Sequence, residues 1–557
     1  MPMIWVFLGV MVIGLGAGLI SQHTRGNARK KLLARWGQKP KERKLDEDIL
    51  TDIGEYHRIR REHAPYPSLV DDTTWRDLDM DAVFSQMNFC QSLVGSEILH
   101  DMLRDTGCPA ESLARRAKHI SLFENDEEVR VACQLALQKA GKTPFHGGAR
   151  HLYNPDFITP PFPWLYPMLA LLPILLFIGG FFFKPLFLVI IPAFAVNMVI
   201  YYRGDMRYHS QAASIRHLGS VLGAAKALIK LNIPALEPEL EELRRNSRKL
   251  RSLARWIPYF QMEKMGDPNM GFMVDFYKIF FQMDMISLCR ISDKIAKNIE
   301  ALRRVYRIIG EVDAQIAIAA WRSQNAACQP TFTEERALRA EGLMHPLLEN
   351  PVANDFAWTH NTLITGSNAS GKSTFIKALA VNAILAQTIM SCRAESITLC
   401  RARVMTAMAV KDSLLAGESY YIAETKALRR INEAADTPGL PLFCLVDEIL
   451  RGTNTVERIA ASVAVLTSFM DKDMLVINAT HDVELVALLH GKYDNFHFSE
   501  DMEAEDMRFS YLIQPGPARG RNAIKLLAHL GFESGIVNHA RELAKHFDEY
   551  GEWPGEQ

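Results

Sequence analysis

Two apolar blocks and one alternating domain divide this chain. Met3 to Ile20, MIWVFLGVMVIGLGAGLI, carries no charge and is about one bilayer long. A second apolar region runs from about Phe162 to Tyr202, with Lys184-Pro185 dividing it. Each half is long enough to cross a bilayer once, which predicts a helical hairpin. A buried hairpin in a soluble core is the rival reading. Apolar residues at helical spacing fill Thr74–Thr106 and continue through roughly 206–256 and 270–325. From His360 onward the pattern becomes strand, glycine loop, helix: NTLITG, GSNASGKST, FIKALAVNAILAQ. PLFCLVDE, Pro441 to Glu448, and DMLVINATH, ending at His481, read as two further buried strands.

Charge orients these blocks. HTRGNARKKLLARWGQKPKERK follows the first apolar run, with Glu42 as its one acidic residue. A basic flank of this kind marks the cytoplasmic side, and it also suits anionic headgroups. A signal peptide would want its basic residues in front of the run, so an uncleaved anchor is expected. Trp164 and Tyr166 open the hairpin, and Tyr201 and Tyr202 close it. Both pairs then lie at one interface, with the tip outside. Three spans result, and both large polar regions face the cytosol. The net charge of -1 argues against nucleic-acid binding by overall charge, although a local patch stays open. One such patch is RRNSRKLRSLAR, Arg244 to Arg255, either a solvated helix face or a phosphate contact. The eight cysteines are scattered without a CxxC pair, so no zinc or redox motif is legible and a reducing compartment fits.

GSNASGKST fits G-x-x-x-x-G-K-[ST] in full. Its glycines let backbone N–H groups turn toward phosphates, and the following helix aims its positive N-terminus at them. Gly366, Ser367, Asn368, Ala369, Ser370, Gly371, Lys372, Ser373 and Thr374 are therefore candidate nucleotide ligands. Lys372 would reach the β- and γ-phosphates, and Ser373 would hold Mg²⁺. Asp447 can complete the Mg²⁺ shell, and Glu448 can polarise an attacking water. His481, just after a strand, can sense the γ-phosphate or be a plain loop histidine. ATP and Mg²⁺ are the expected cofactors, and ATP hydrolysis to ADP and phosphate is the expected reaction.

These segments resemble the MutS ATPases of DNA mismatch repair. The resemblance rests on VANDFAW, LITGSNASGKSTFIKALAVNAILAQ, SYYIAE, LVDEILRGTNT and NATHDVEL, in that order, and covers about 340–545. It is weaker over TWRDLDMDAVFSQMNFCQSLVGSEILHDML, which looks like the start of the MutS core domain. The resemblance implies that Asn354 lies beside the base and ribose. It implies that Ser419 reaches a partner's γ-phosphate across a dimer interface, and that Glu448, Lys372 and His481 are catalytic. The ending GFESGIVNHARELAKHF is similar to the terminal helix-turn-helix that locks two such domains together, so a homodimer with composite sites is implied.

The departures are equally specific. The family's mismatch-reading module, with its Phe-x-Glu wedge, is replaced by an apolar run and a basic linker. The adenine-stacking aromatic gives way to the Asn350–Pro351 region. Leu450 stands for a glycine, and Arg519 and Arg521 for small residues. The expected fold is an α/β P-loop ATPase domain of ABC-ATPase-like, MutS type. It accompanies an all-α core-like region interrupted by a transmembrane hairpin. The expected divisions are an anchor (1–22), a basic linker (23–70), helical core (71–160), hairpin (161–202), helical arm (203–335), ATPase domain (336–545) and tail (546–557). A membrane-anchored dimeric ATPase that clamps double-stranded DNA is one expectation, with a bacterial inner membrane fitting the topology. An ATP-driven switch acting on a protein partner, without DNA, is the other. No LSGGQ-like signature lies between Lys372 and Asp447, which leaves an ABC transporter without its hallmark.

Overall fold

The computed structural model describes residues 26–38, 46–63, 70–142, 148–153, 159–257, 276–367, 370–408, 420–503, 506–518, 524, 527–528, 531–550 and 553–554. The expected anchor Met3–Ile20 lies outside them, as do Arg519 and Arg521. Contacts divide the chain into two units. One is drawn from 1–66, 84–102 and 114–324, the other from 67–83, 103–113 and 325–557.

The first unit is helical, and its centre is the helix Ile299–Gln324. Small residues let it approach the helix Leu93–Leu103 closely. A methyl at Gly310 would fall 2.2 Å from Ile98 Cγ1, and one at Gly95 would fall 2.3 Å from Asp313 Oδ2. Asp313, fully buried, uses this closeness. Its carboxylate accepts from the Gln91 and Ser92 N–H groups, both at 2.8 Å. It thereby satisfies donors at the start of the neighbouring helix that would otherwise be orphaned.

A buried polar seam runs beside this crossing. The Tyr306 hydroxyl donates to Glu97 Oε2, and the Tyr306 ring stacks on Tyr56 at 5.9 Å between centroids. Tyr56 belongs to the helix Glu47–His63. Burial would raise Asp101 on its own. The hydrogen bond from His57 Nδ1 (2.9 Å) and the Arg60 guanidinium outweigh it and hold the carboxyl below its ordinary value. Glu97 has no such cation, and burial pushes it up to about 8.

The expected hairpin forms as the helices Leu165–Gly180 and Leu186–Leu231, joined across Lys184-Pro185. The first has 16 residues, about 24 Å of rise, which is short of a 30 Å hydrocarbon core. Leu186–Gly204 is the one described helical stretch long and apolar enough to cross a membrane, and 17% of its span is buried. Phe182 is 89% exposed, Leu188 76% and Ile191 74%.

The second unit carries two sheets. Its strands are β1 (Thr331–Phe332), β2 (Leu338–Leu343), β3 (Asn354–Trp358), β4 (Thr362–Thr365), β5 (Ser396–Leu399), β6 (Arg403–Ala407), β7 (Leu442–Asp447), β8 (Met474–Thr480), β9 (Asp494–Glu503) and β10 (Asp506–Pro515). The larger sheet has the order β10-β9-β4-β8-β7-β6 and is parallel except for the β9–β10 pair. The smaller has the order β1-β5-β2-β3. The continuous apolar runs of β7 and β8 occupy the middle of the larger sheet, where both faces are covered.

Residues 71–83 and 103–113, read from sequence as helical core, pack with this second unit. The reason is a polar latch around a buried Trp75. Asp77 accepts from Thr406 Oγ1 at 2.7 Å, Asp71 pairs with Arg430, and the Arg104 guanidinium lies 4.0 Å over the Trp75 ring.

Glu97 yields a prediction. Its native pKa exceeds its unfolded value, so its contribution to stability is full below about 4.5 and fades as pH rises toward about 8. Glu97→Gln mimics the protonated form. Across that window the wild type should lose stability relative to the variant, at most about 1.4 kcal/mol per pH unit. Thermal melting of both proteins from pH 5 to 8 checks this, and parallel curves would show that Glu97 is ionised in the native protein.

Candidate functional site

The parallel strands β4, β7 and β8 end together at one edge. Thr365 lies opposite Thr480, and Asp447 opposite Ala479. The residues that follow therefore converge: Gly366 after β4, Glu448 after β7, and His481 after β8.

Two glycines make the turn from β4 into the helix Lys372–Ile389. Gly366 has φ +143° and Gly371 φ +102°, a region that favours glycine. Space is also short, because a methyl on Gly371 would lie 3.0 Å from Tyr511 Cδ1. Lys372, 1% exposed, folds back into the turn. Its ammonium donates to the carbonyls of Gly366 and Ser367, each at 2.7 Å. Ser370 is buried and donates to the Ser367 carbonyl at 2.7 Å, so its side chain shapes the loop. Ser367 Oγ is buried without a hydrogen-bond partner among the described residues. Thr374 lies exposed at the mouth. Asn368, Ala369 and Ser419 lie outside the described residues.

The adjacent carboxylates Asp447 and Glu448 are pushed in opposite directions. Burial raises Asp447, and the Ser373 hydroxyl bonded to it only partly offsets this. Glu448 is held below its ordinary value, chiefly by the hydrogen bond from His481 and then by nearby positive charge including Arg451 and Lys372. Glu448 Oε1 lies 2.8 Å from His481 Nε2, and Oε2 lies 3.0 Å from Arg451 Nη1. Lys372 Nζ is 3.3 Å from that same Nε2. One ring nitrogen cannot both donate to a carboxylate and accept from an ammonium. The shorter contact to an ionised carboxylate assigns the proton to Nε2. The Arg458 guanidinium grips Asp482 at 2.7 and 3.1 Å and anchors the segment carrying His481.

This donor set suits a hard divalent cation. A hydroxyl and a carboxylate already touch at Ser373 and Asp447, and a buried carboxyl raised by desolvation gains most from a nearby positive charge. Among the described residues no group of three or more His, Cys, Asp or Glu could hold a metal by itself.

Beside the loop lies a cavity of about 280 Å³, lined by His345, Pro351, Asn354, Phe375, Phe498 and Tyr511 among others. Asn354 lines it, but its amide is committed to the backbone. Nδ2 donates to the Tyr511 carbonyl at 3.0 Å, and Oδ1 accepts from Ile513 N–H at 2.8 Å. Between Phe509 and Ile513 the β9–β10 register shifts, and Tyr511 takes φ +53°. Asn354 thus holds a bulge that sets Tyr511 beside the loop. His345 and Tyr511 went unread in the sequence. The Asn350–Pro351 region does line the cavity, while the rings come from elsewhere. Burial, with Lys377 and Arg393 close by, lowers His345 to about 4, so its ring is neutral at pH 7. The Leu450 departure also has a structural trace. Leu450 adopts φ +54°, where glycine would be unstrained, and its side chain is buried in the core under β7.

Comparison with known proteins relates this part of the chain to MutS. Residues 362–548 match the family model of MutS domain V. The DNA mismatch repair protein MutS of Thermus aquaticus is 31% identical over 258 residues, covering 45% of this chain and 31% of that protein. The DNA mismatch repair protein MutS of Leuconostoc mesenteroides is 30% identical over 269 residues, with the same coverages. The DNA mismatch repair protein msh3 of Emericella nidulans is 28% identical over 277 residues, covering 46% of this chain and 25% of that protein. The chain spans about a third or less of the length of these relatives.

A pH prediction follows from His345. Its native pKa, about 4, lies below its unfolded value of 6.5, so the unfolded chain takes up a proton that the native ring refuses. The contribution is full above about 6.5 and is lost as pH falls toward 4, by at most about 1.4 kcal/mol per unit. His345→Gln should flatten the denaturant-midpoint curve between pH 6.5 and 5 relative to wild type. An unchanged slope would mean that the ring is accessible and protonates freely.

Proposed function

We propose that this chain is a membrane-anchored ATPase related to MutS, working as a homodimer that couples ATP hydrolysis to clamping double-stranded DNA. The observation that carries the ATPase reading is the meeting of Lys372, Asp447, Glu448 and His481 at one sheet edge, beside an open cavity.

The nucleotide's base would enter the cavity against His345 and Tyr511, and its phosphates would meet the loop N–H groups and the orphaned Ser367 hydroxyl. Lys372 would release the two loop carbonyls and turn its ammonium to the β- and γ-phosphates. Ser373 and Asp447 would hold Mg²⁺, which when bound neutralises phosphate charge. Glu448, kept ionised by His481, would orient and polarise the attacking water. Ser419 would act across the dimer on the partner's site, as the resemblance implies.

Support for DNA comes from the first unit. Lys226, Arg244, Arg248, Arg251 and Arg255 line a groove of about 450 Å³ together with Ser247, whose Oγ is buried without a partner among the described residues. The segment Arg244–Arg255 contains no acidic residue. Such a groove suits phosphate oxygens without reading bases. The bilayer reading rests on the exposed apolar hairpin, since patches of this kind mark membrane or partner contact. That same surface favours a second reading, an ATP-driven switch acting on a membrane protein without DNA.

Detergent-purified protein should hydrolyse ATP in the presence of Mg²⁺. Lys372→Ala should weaken nucleotide binding, while Glu448→Ala should retain it and lose roughly 100-fold or more in turnover. Unaltered turnover in the Glu448 variant would remove that residue from the mechanism. Duplex binding should fall steeply with salt, and Arg248→Glu with Arg251→Glu should reduce the slope by about 2. Absence of binding with ADP, ATP or no nucleotide would favour the protein-partner reading.

A further inference from the structure

The eight cysteines are scattered in sequence, but the fold sets two of them face to face. Cys328 and Cys392 form an isolated antiparallel bridge. The Cys328 N–H donates to the Cys392 carbonyl at 2.8 Å, and the Cys392 N–H donates to the Cys328 carbonyl at 3.0 Å. Two residues that exchange both bonds sit directly opposite each other, with Cα atoms about 5.5 Å apart and side chains on the same side. Disulfides join Cα atoms separated by about 4.4–6.8 Å. Both residues are thiols here.

Their surroundings differ usefully. Cys392 is fully buried, while Cys328 is half-buried. The Cys392 Sγ donates to the Asn382 carbonyl at 3.5 Å, which leaves Cys328 as the less buried member of the pair. The positions matter too. Cys328 lies just beyond the helix Ile299–Gln324 and just before β1. Cys392 lies just beyond the helix Lys372–Ile389 and before β5. The same two segments pair again, now in parallel, as β1 and β5. A covalent bond here would fasten the chain's entry into the second unit to the far end of the helix that begins with Lys372.

We infer that Cys328 and Cys392 are a thiol pair that closes to a disulfide under peroxide and restrains the Lys372–Ile389 helix. The Cys328 thiolate attacks a peroxide oxygen. The O–O bond breaks, and the departing hydroxide leaves as water with the thiol's proton. The resulting Cys328 sulfenic acid is attacked by the Cys392 sulfur. The S–S bond forms, the S–O bond breaks, and a second water carries off the Cys392 proton. Two thiols and one hydrogen peroxide give one disulfide and two waters, with two electrons passing from sulfur to oxygen. A dithiol reductant reverses it by exchange.

The test uses full-length, detergent-purified protein treated with hydrogen peroxide, alkylated, and digested without reduction. Mass spectrometry should find a linked peptide pair containing Cys328 and Cys392, about 2 Da lighter than the two thiol peptides together. Dithiothreitol should abolish it, and Cys328→Ser and Cys392→Ser should each prevent it. Recovery of Cys328 as alkylated thiol or sulfinic acid without that pair, in protein that still melts as native, overturns the inference. The effect on the helix rests on the ATPase reading and is read separately. Oxidation should slow ATP turnover several-fold in wild type, reversibly, and leave Cys328→Ser unaffected. Full turnover in linked protein overturns the restraint. Absent turnover in reduced protein fails the ATPase reading instead, and leaves the linkage to be judged by mass.

Discussion

The second unit is organised around one buried ammonium. Lys372 lies inside the turn that joins β4 to its helix, held by two carbonyls of that same turn. A charge taken out of water must be hydrogen-bonded and compensated. The compensation comes from the Asp447 and Glu448 carboxylates, both of which feel the Lys372 charge. The glycine conformations, the alignment of the strand ends and the opposed carboxylates are the conditions under which that lysine can be buried.

The neighbouring carboxylates show how position decides role. Asp447 and Glu448 are consecutive, yet one is the last residue of a buried strand and the other begins a turn at φ +56°. The strand residue faces desolvation and a hydroxyl. The turn residue faces a histidine and an arginine. Environments that separate two carboxylates in this way are what acid–base chemistry uses. Leu450, two residues on, takes another left-handed conformation while staying buried. This turn therefore stores strain, and the core beneath β7 holds it in place.

Polar satisfaction also links distant segments. Asn354, which lines the cavity, bonds the β10 bulge through both ends of its amide and so also fixes the ring that borders that cavity. In the first unit Asp313 plays a comparable part by closing the start of another helix. Both cases follow from the cost of leaving buried backbone groups unpaired.

The sequence by itself determined much of the strand–loop–helix order. Periodicity and glycine spacing are local, and NTLITG, PLFCLVDE and DMLVINATH appear as β4, β7 and β8 at the expected places. The hairpin break at Lys184-Pro185 was local too, because a proline and a charge interrupt an apolar run. What required tertiary structure was every pairing between segments far apart along the chain. His345 and Tyr511 border one cavity across more than 150 residues because β10 packs against β3 of the other sheet, joined by the Asn354 amide. Residues 67–83 join the second unit through Asp71, Asp77 and Trp75, none of which announces its partner. Cys328 and Cys392 meet by the register of an isolated bridge. Local patterns carry the period of an element, but contact between elements is set by packing and hydrogen-bond register, which only the folded chain supplies.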